Sequence, residues 1–265
     1  MELLECILTG NDCYQAKQTI VPKGVMVHST GANNPNLKRY VQPLAGDADY
    51  AALLTRLGVN SYKNDWNRTG TNACVHGFIG KLADGSVAAV QTLPWNCRGW
   101  HAGTGASGGS ANNTHISFEI CEDGLTDPDY FQLVYREAVE LTAYLCRQFG
   151  LDPLADGVVI CHSEGFRRGI ASNHADVEHW FPRYGKSMDD FRADVSAALD
   201  AGPEAEKEDN MTWYKTLDEV PEYYRPTVAK LVEAGALEGT GSDALNVSED
   251  FCRAMTVLDR LGKLD

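Results

Sequence analysis

Short apolar runs separated by turn-forming residues recur along the first 200 residues and predict the strands of a sheet. Residues 24–28, 115–122 and 158–161 are typical of strands, because their apolar positions are bounded by glycine, asparagine or aspartate. A shorter strand is predicted at residues 6–8, directly before a polar turn. The sheet should therefore be assembled from segments that lie far apart in the sequence.

A hairpin is predicted in the middle of this region. Residues 75–80 and 87–93 are both apolar, and Ala83-Asp84-Gly85 lies between them. An Asp-Gly pair strongly favours the tight turn that joins two antiparallel strands. At least one pair of neighbouring strands should therefore be antiparallel.

The most regular helical pattern begins after Asp127, a favourable N-cap, with Pro128 at the first helical position. Apolar residues then recur at the helical spacing until Gly150, which should end the helix. Further helices are predicted at Tyr50–Leu57 and 188–199. Strands alternating with helices predict an α/β fold, a central sheet flanked by helices.

The composition changes after this region. Residues 201–211 are polar and acidic with Gly-Pro near the start, which is typical of a linker between a domain at 1–200 and one at 212–265. The second domain should be small and helical. One amphipathic helix is predicted at 221–234, and another opens on Ser248.

The net charge of −14 argues against nucleic acid and against an anionic membrane as partners, because both require a basic surface. The N-terminus carries no signal-peptide pattern, so synthesis in the cytoplasm without ordinary export is expected. The eight cysteines are scattered and lack a Cys-x-x-Cys pair. Buried, reduced thiols are therefore expected.

Candidate metal ligands follow two of the predicted strands. His28 closes the apolar run at 24–28, and His162 closes the run at 158–161. Asp176 lies on a loop fourteen residues further on and could complete a His, His, Asp set for zinc. The alternatives are core histidines with satisfied hydrogen bonds and an aspartate that caps a helix or faces water.

Glu119 is the candidate general base. Strand alternation places it on the same face as Ser117, with Phe118 and Ile120 on the opposite face. A carboxylate among apolar neighbours has a raised pKa, which suits a base that acts near neutrality. The alternative is a glutamate at the sheet edge that faces water.

The glycine- and serine-rich run at 103–110 lacks the Gly-Lys-[Ser/Thr] ending of a phosphate loop. A mobile loop that borders a cleft is the more economical interpretation. A Ser-His-Asp triad is an alternative that composition alone leaves open.

Four blocks occur together in one order: Val27-His28-Ser29-Thr30, Trp100-His101-Ala102-Gly103, Ile116-Ser117-Phe118-Glu119-Ile120-Cys121, and Cys161-His162-Ser163-Glu164-Gly165 with Ser172-Asn173-His174-Ala175-Asp176. In these blocks the chain resembles the type 2 N-acetylmuramoyl-L-alanine amidases, zinc enzymes related to peptidoglycan recognition proteins and phage lysozyme-amidases. The resemblance implies a mixed sheet and hydrolysis of the amide between N-acetylmuramic acid and the stem-peptide L-alanine of bacterial peptidoglycan.

The resemblance also implies roles for individual residues. His28, His162 and Asp176 match the three zinc ligands of the family, and Glu119 matches its catalytic glutamate. His174 stands where relatives often have lysine or threonine to polarise the substrate carbonyl. This difference from the relatives leaves open whether His174 is charged, donates a hydrogen bond or competes as a ligand.

Trp100 and His101 are expected to line the substrate groove, where aromatic faces suit sugar rings. His179 is expected to be structural.

With Val220-Pro221, Leu231-Val232-Glu233-Ala234-Gly235 and Ser248-Glu249-Asp250, the C-terminal domain resembles one S-layer homology repeat or a related clostridial cell-wall module. It is therefore expected either to attach to the wall or to self-associate, with attachment favoured. A phage or prophage endolysin released through a holin fits these features better than an exported autolysin. The alternatives are a non-catalytic peptidoglycan-binding protein of the same fold and an intracellular muropeptide-recycling amidase.

Overall fold

A computed structural model describes residues 1–47, 49–201, 213–237 and 245–264. Contacts within the chain divide it into two units, Met1–Pro203 and Glu204–Asp265, which are described separately below. The predicted linker at 201–211 lies outside the described residues except for Ala201. The domain boundaries therefore stay a prediction.

The first unit is built on a mixed six-stranded sheet with the strand order β1-β4-β3-β5-β2-β6. The pairs β3–β5, β5–β2, β2–β6 and β1–β4 are parallel, and the predicted hairpin β3–β4 is antiparallel. The predicted α/β fold with a central mixed sheet is confirmed. The strands are Leu3–Glu5 (β1), Gly24–Ser29 (β2), Gly77–Lys81 (β3), Val87–Gln91 (β4), His115–Ile120 (β5) and Val159–Cys161 (β6).

The helix Pro128–Phe149 (α3) begins and ends where the sequence predicts. The Asp127 carboxylate accepts hydrogen bonds from the backbone N–H groups of Asp129 and Tyr130, and Gly150 ends the helix at a φ of 63°. The α-helices of the first unit are Asp12–Gln15 (α1), Tyr50–Leu57 (α2), Pro128–Phe149 (α3), His162–Arg167 (α4) and Met188–Asp200 (α5), with 3-10 turns at Leu37–Arg39, Ala111–Asn113 and Phe181–Tyr184.

The two faces of the sheet bury different cores. On one face, Val27 and Phe118 belong to the large apolar cluster that includes α3 and α5. On the other face, Phe78 packs in a cluster formed by the N-terminal half of the unit, and Met26 packs in a smaller one. Because side chains alternate along a strand, His28 and Glu119 share the second face with Met26.

The first strand is displaced from its predicted position. The sequence predicts a strand at 6–8, whereas β1 spans Leu3–Glu5. The backbone N–H groups of Cys6 and Leu8 still donate to the carbonyl groups of Gln91 and Thr92, both at 2.9 Å. The apolar run thus continues along the sheet edge beyond the regular ladder.

The second unit contains a short antiparallel pair as well as the predicted helices. Trp213–Tyr214 (β7) pairs with Val247–Ser248 (β8), and the helices are Arg225–Glu233 (α6) and Glu249–Arg260 (α7). The helix predicted from residue 221 begins at Arg225. The apolar core of the described part is small: Tyr214, Val220, Tyr224, Val228, Val247 and Cys252.

None of the helices in the described part of the chain has the length and apolar character to cross a membrane. All eight cysteines are buried free thiols.

The packing of α3 on the sheet predicts a large stability difference between two leucines of the same helix. Leu141 is fully buried against the sheet, whereas Leu133 is 41% exposed. Leu141→Ala should lower the free energy of unfolding by about 2–5 kcal/mol, because it leaves a cavity. Leu133→Ala should change it by less than about 0.5 kcal/mol. Urea denaturation of both variants checks this, and equal losses would contradict the packing described.

Candidate metal centre and active site

The register of three parallel strands sets out the site. His28 on β2 lies directly opposite Glu119 on β5. On its other side, Val27 pairs with Cys161 of β6, and His162 is the next residue. Paired residues in neighbouring strands point to the same face, and the carboxyl ends of parallel strands are where α/β proteins place their sites. The sheet therefore brings Glu119, His28 and His162 into one row.

Asp176 completes a compact group of potential metal ligands with the two histidines. One Asp176 carboxylate oxygen, Oδ2, lies 3.2 Å from His28 Nδ1 and 3.5 Å from His162 Nδ1. The two Nδ1 atoms are 3.1 Å apart. One ligand atom from each residue lies within 4.8 Å of the others. Two imidazoles and one carboxylate are a donor set that zinc accepts.

The charges of these groups suit cation binding. Burial lowers the pKa of His28, although the hydrogen bond to Asp176 opposes this effect. Burial acts to raise the pKa of Asp176, but hydrogen bonds to His162 and His28 outweigh it and hold that pKa below its ordinary value. A neutral imidazole and an ionised carboxylate are the forms that bind a metal ion.

The far sides of the two imidazole rings have their own partners. His28 Nε2 lies 3.0 Å from His101 Nδ1, and His162 Nε2 lies 3.3 Å from the Ser172 hydroxyl. That hydroxyl in turn donates to the Ala102 carbonyl at 3.2 Å. With each ring proton on Nε2, both Nδ1 lone pairs would be available to a metal ion in place of the hydrogen bonds to Asp176, and outer hydrogen bonds orient metal-binding histidines in this way. The residues present therefore fit a metal ion.

Glu119 is partly buried beside this group, and one of its carboxylate oxygens is buried without a hydrogen bond. Its Oε2 atom finds no partner among the described residues. Burial raises the pKa of Glu119 well above its ordinary value, and the nearby charges of Asp176 and Glu122 act in the same direction. A buried carboxyl group with a strongly perturbed pKa in a cluster of titratable side chains is typical of a functional site.

His174, Trp100 and His101 occupy different surroundings from one another. The exposed ring of His174 lies 4.6 Å from the ring of His162, measured between centroids, outside the three-residue ligand group. Trp100 is partly buried against a cluster that contains Cys13 and Cys74. His101 contacts the back of His28 through its Nδ1 atom.

The glycine-rich run at 103–110 is tied to the segment that follows α4. The Ser107 hydroxyl donates to the Gly169 carbonyl, and a Cβ on Gly105 would lie only 2.0 Å from that same oxygen. The Ala111 N–H donates to the Ile170 carbonyl at 2.8 Å. Glycine is therefore required at 105 for close backbone packing, a role that the interpretation as a mobile loop does not include.

Two polar contacts near the site could not be predicted from the sequence. Ser172 belongs to one of the four sequence blocks described above, yet its hydrogen bond to His162 depends on the path of the connecting loop. Glu122 is 4% exposed and pairs with His179 at 2.9 Å. No spacing rule connects residues 57 positions apart in the sequence.

A further buried histidine, His76, lies on the same side of the sheet, with its ring centroid 6.4 Å from that of His101. Its Nδ1 accepts from the Ser117 N–H at 3.0 Å, so Nε2 carries the proton and donates to the Cys97 carbonyl at 2.8 Å. Burial lowers the pKa of His76 to about 4, although the hydrogen bond to the Cys97 carbonyl acts to raise it. His76 is therefore a neutral support for the site.

The comparisons with known proteins agree with this geometry. The profile of the family described as N-acetylmuramoyl-L-alanine amidase matches residues 17–179, which is more than half of the chain. The chain therefore belongs to the N-acetylmuramoyl-L-alanine amidase family. Peptidoglycan is the substrate class and amide hydrolysis is the reaction that this membership supports. No curated protein matches the chain.

The chain is similar to several solved structures, including the following two. The hydrolase AmiA of Staphylococcus aureus, in complex with its ligand, is 17% identical with a TM-score of 0.51, and the alignment covers 76% of this chain and 84% of that one. A mutant endolysin from Bacillus subtilis is 23% identical with a TM-score of 0.47, over 74% of this chain and 99% of that one. Because AmiA is only 17% identical in sequence, its similarity to this chain supports a shared fold and nothing further.

The environment of His76 predicts its titration. In the unfolded chain its pKa should be near 6.5, whereas the folded pKa is about 4, so unfolding takes up a proton between these values. The contribution of His76 to the free energy of unfolding should therefore decrease as the pH falls from about 6.5 to 4. The ring resonance of His76 can be assigned in NMR spectra by its absence from the spectrum of His76→Gln. Its chemical shift should stay constant from pH 8 to about 5. A midpoint near 6.5 in the folded protein would contradict this assignment.

Proposed function

We propose that the protein is a zinc-dependent N-acetylmuramoyl-L-alanine amidase that degrades bacterial cell walls, with zinc held by His28, His162 and Asp176. The observation that carries this proposal is the convergence of these three side chains, whose ligand atoms lie within 4.8 Å of one another. Three protein ligands are the number that catalytic zinc sites use. The hydrogen bonds on the far sides of both histidines, to His101 and Ser172, are of the kind that orients metal-binding imidazole rings.

Zinc supplies two things when bound, polarisation of the scissile carbonyl and a lowered pKa for water at the site. Glu119 acts as the proton carrier. Its carboxylate, whose pKa is raised by burial, accepts a proton from the attacking water and delivers it to the nitrogen of the leaving L-alanine. Its position directly opposite His28 in the sheet puts this proton transfer beside the ligand group.

His174 is assigned to the substrate carbonyl. Its exposed ring beside His162 can donate a hydrogen bond to the oxygen on which negative charge develops. Trp100 and His101 are assigned to the wall of the substrate groove, and the contact with His28 gives His101 the second task of orienting that ligand. The C-terminal unit is assigned to attachment to the wall.

The reaction can be identified by its products. Purified protein should release new L-alanine amino termini from cell walls without new reducing sugar ends. A chelator should abolish the release, and added Zn²⁺ should restore it, since neither function of the metal has a substitute in the site. Reducing ends in place of amino ends would indicate a glycosidase, and no release at all would favour a non-catalytic binding protein.

The role of Glu119 can be separated from metal binding. Glu119→Gln keeps the shape of the side chain but removes the base, so it should retain wild-type zinc content and lose about 10²–10⁴-fold in kcat. Glu178→Gln is the matched control, because Glu178 is 41% exposed and pairs with Arg167 on the surface. Metal analysis and the amino-end assay measure both variants. Loss of zinc from Glu119→Gln would identify Glu119 as a ligand instead.

A further inference from the structure

We propose that Glu122, together with His179, is a positioning residue that fixes the segments carrying two metal ligands relative to each other. The inference rests on the proposed zinc site, and it concerns how that site keeps its geometry. Glu122 is not one of the three ligand residues, and its carboxylate contacts Gly31 and His179. Its effect would therefore be transmitted through backbone segments.

The contacts of Glu122 join three parts of the unit. Its Oε1 accepts from the Gly31 N–H at 3.1 Å and from His179 Nε2 at 2.9 Å. Its own backbone N–H donates to the Thr30 hydroxyl at 3.1 Å. The side chain is only 4% exposed, so these contacts lie in a region largely closed to water. Glu122 therefore holds the segment after β2 and the His179 segment at one point.

Each joined segment leads directly to a functional side chain. Thr30 and Gly31 follow His28 by two and three residues, and Glu122 follows Glu119 by three. His179 follows Asp176 by three residues. Between those two, hydrogen bonds from Glu178 N–H to the Ala175 carbonyl and from Trp180 N–H to the Val177 carbonyl, both 2.9 Å, form a turn. A displacement of His179 would therefore displace Asp176.

A buried carboxylate has an energetic cost that its partners must offset. An isolated ionised carboxylate out of water is strongly unfavourable, whereas a backbone N–H and a histidine make its burial tolerable. Removing the carboxylate would leave the Gly31 N–H and the His179 ring without their acceptor. The loop after β2 and the Asp176 turn would then be free to shift, and the ligand atoms with them.

The magnitude follows from what such outer contacts contribute elsewhere. Loss of a residue that orients metal ligands typically weakens metal binding by about 10–100-fold, because ligands that drift lose coordination geometry. Glu122→Ala should therefore weaken zinc binding by about that factor. Glu122→Gln retains an acceptor oxygen for Gly31 and His179, so its zinc affinity should stay within a few-fold of wild type.

The test is a zinc titration of the full-length chain against a competing chromophoric chelator. His179→Ala removes the same link from the opposite side and should weaken zinc binding in the same direction as Glu122→Ala. Glu178→Ala is the matched control, because Glu178 neighbours His179 in the same turn but pairs with Arg167 instead. Excess zinc should restore the kcat of Glu122→Ala, and a circular dichroism spectrum of the metal-free variant that matches the wild type would exclude a general loss of folding.

The possible outcomes separate this inference from the proposed function. Wild-type zinc affinity in both Glu122→Ala and His179→Ala, even with a lower unfolding temperature, would overturn the positioning role and leave the zinc site intact. A similar loss in the Glu178→Ala control would also overturn it. No zinc binding by the unsubstituted chain would overturn the proposed function itself, and the inference with it.

Discussion

The site depends on the register in which β2 lies between β5 and β6. Glu119 and His28 are directly paired, and His162 follows a residue paired with Val27. A slip of one residue in β2 would turn His28 to the face covered by α3 and would bring Val27 to the site. The buried apolar residues on that face therefore determine the register that the polar residues require.

The second requirement is that polar groups in this buried region satisfy one another. His28 and His162 are nearly inaccessible to water, and both converge on the single carboxylate of Asp176. Burial lowers the pKa of His28, and hydrogen bonds to His162 and His28 hold the pKa of Asp176 below its ordinary value. The combination is costly for a protein core without a cation and well suited to one with a cation, since metal binding uses the same protonation states.

Much of this arrangement follows from local patterns in the sequence. Alternation of apolar residues in 115–122 placed Glu119 opposite Phe118, and the cap residues Asp127 and Gly150 gave the ends of α3. These predictions succeeded because periodicity and capping involve residues close in sequence. Strand β1 was displaced because an edge segment can pair along more than one stretch of its apolar run.

What the sequence did not reveal are contacts between distant loops. The partners His28 and His101 are 73 residues apart, and Glu122 and His179 are 57 apart. Their meeting depends on the paths of loops that no local periodicity describes. The family resemblance supplied the ligand residues, but not the side chains that orient them.

The most direct measurement is a crystal structure of the zinc-loaded protein with anomalous scattering at the zinc edge. We expect one strong peak bound by His28 Nδ1, His162 Nδ1 and an Asp176 carboxylate oxygen, each about 2.0–2.2 Å from the ion. Glu119 should lie nearby but outside the coordination sphere. A peak bound through His174 in place of Asp176, or no peak in this part of the fold, would show that the proposed zinc site is wrong.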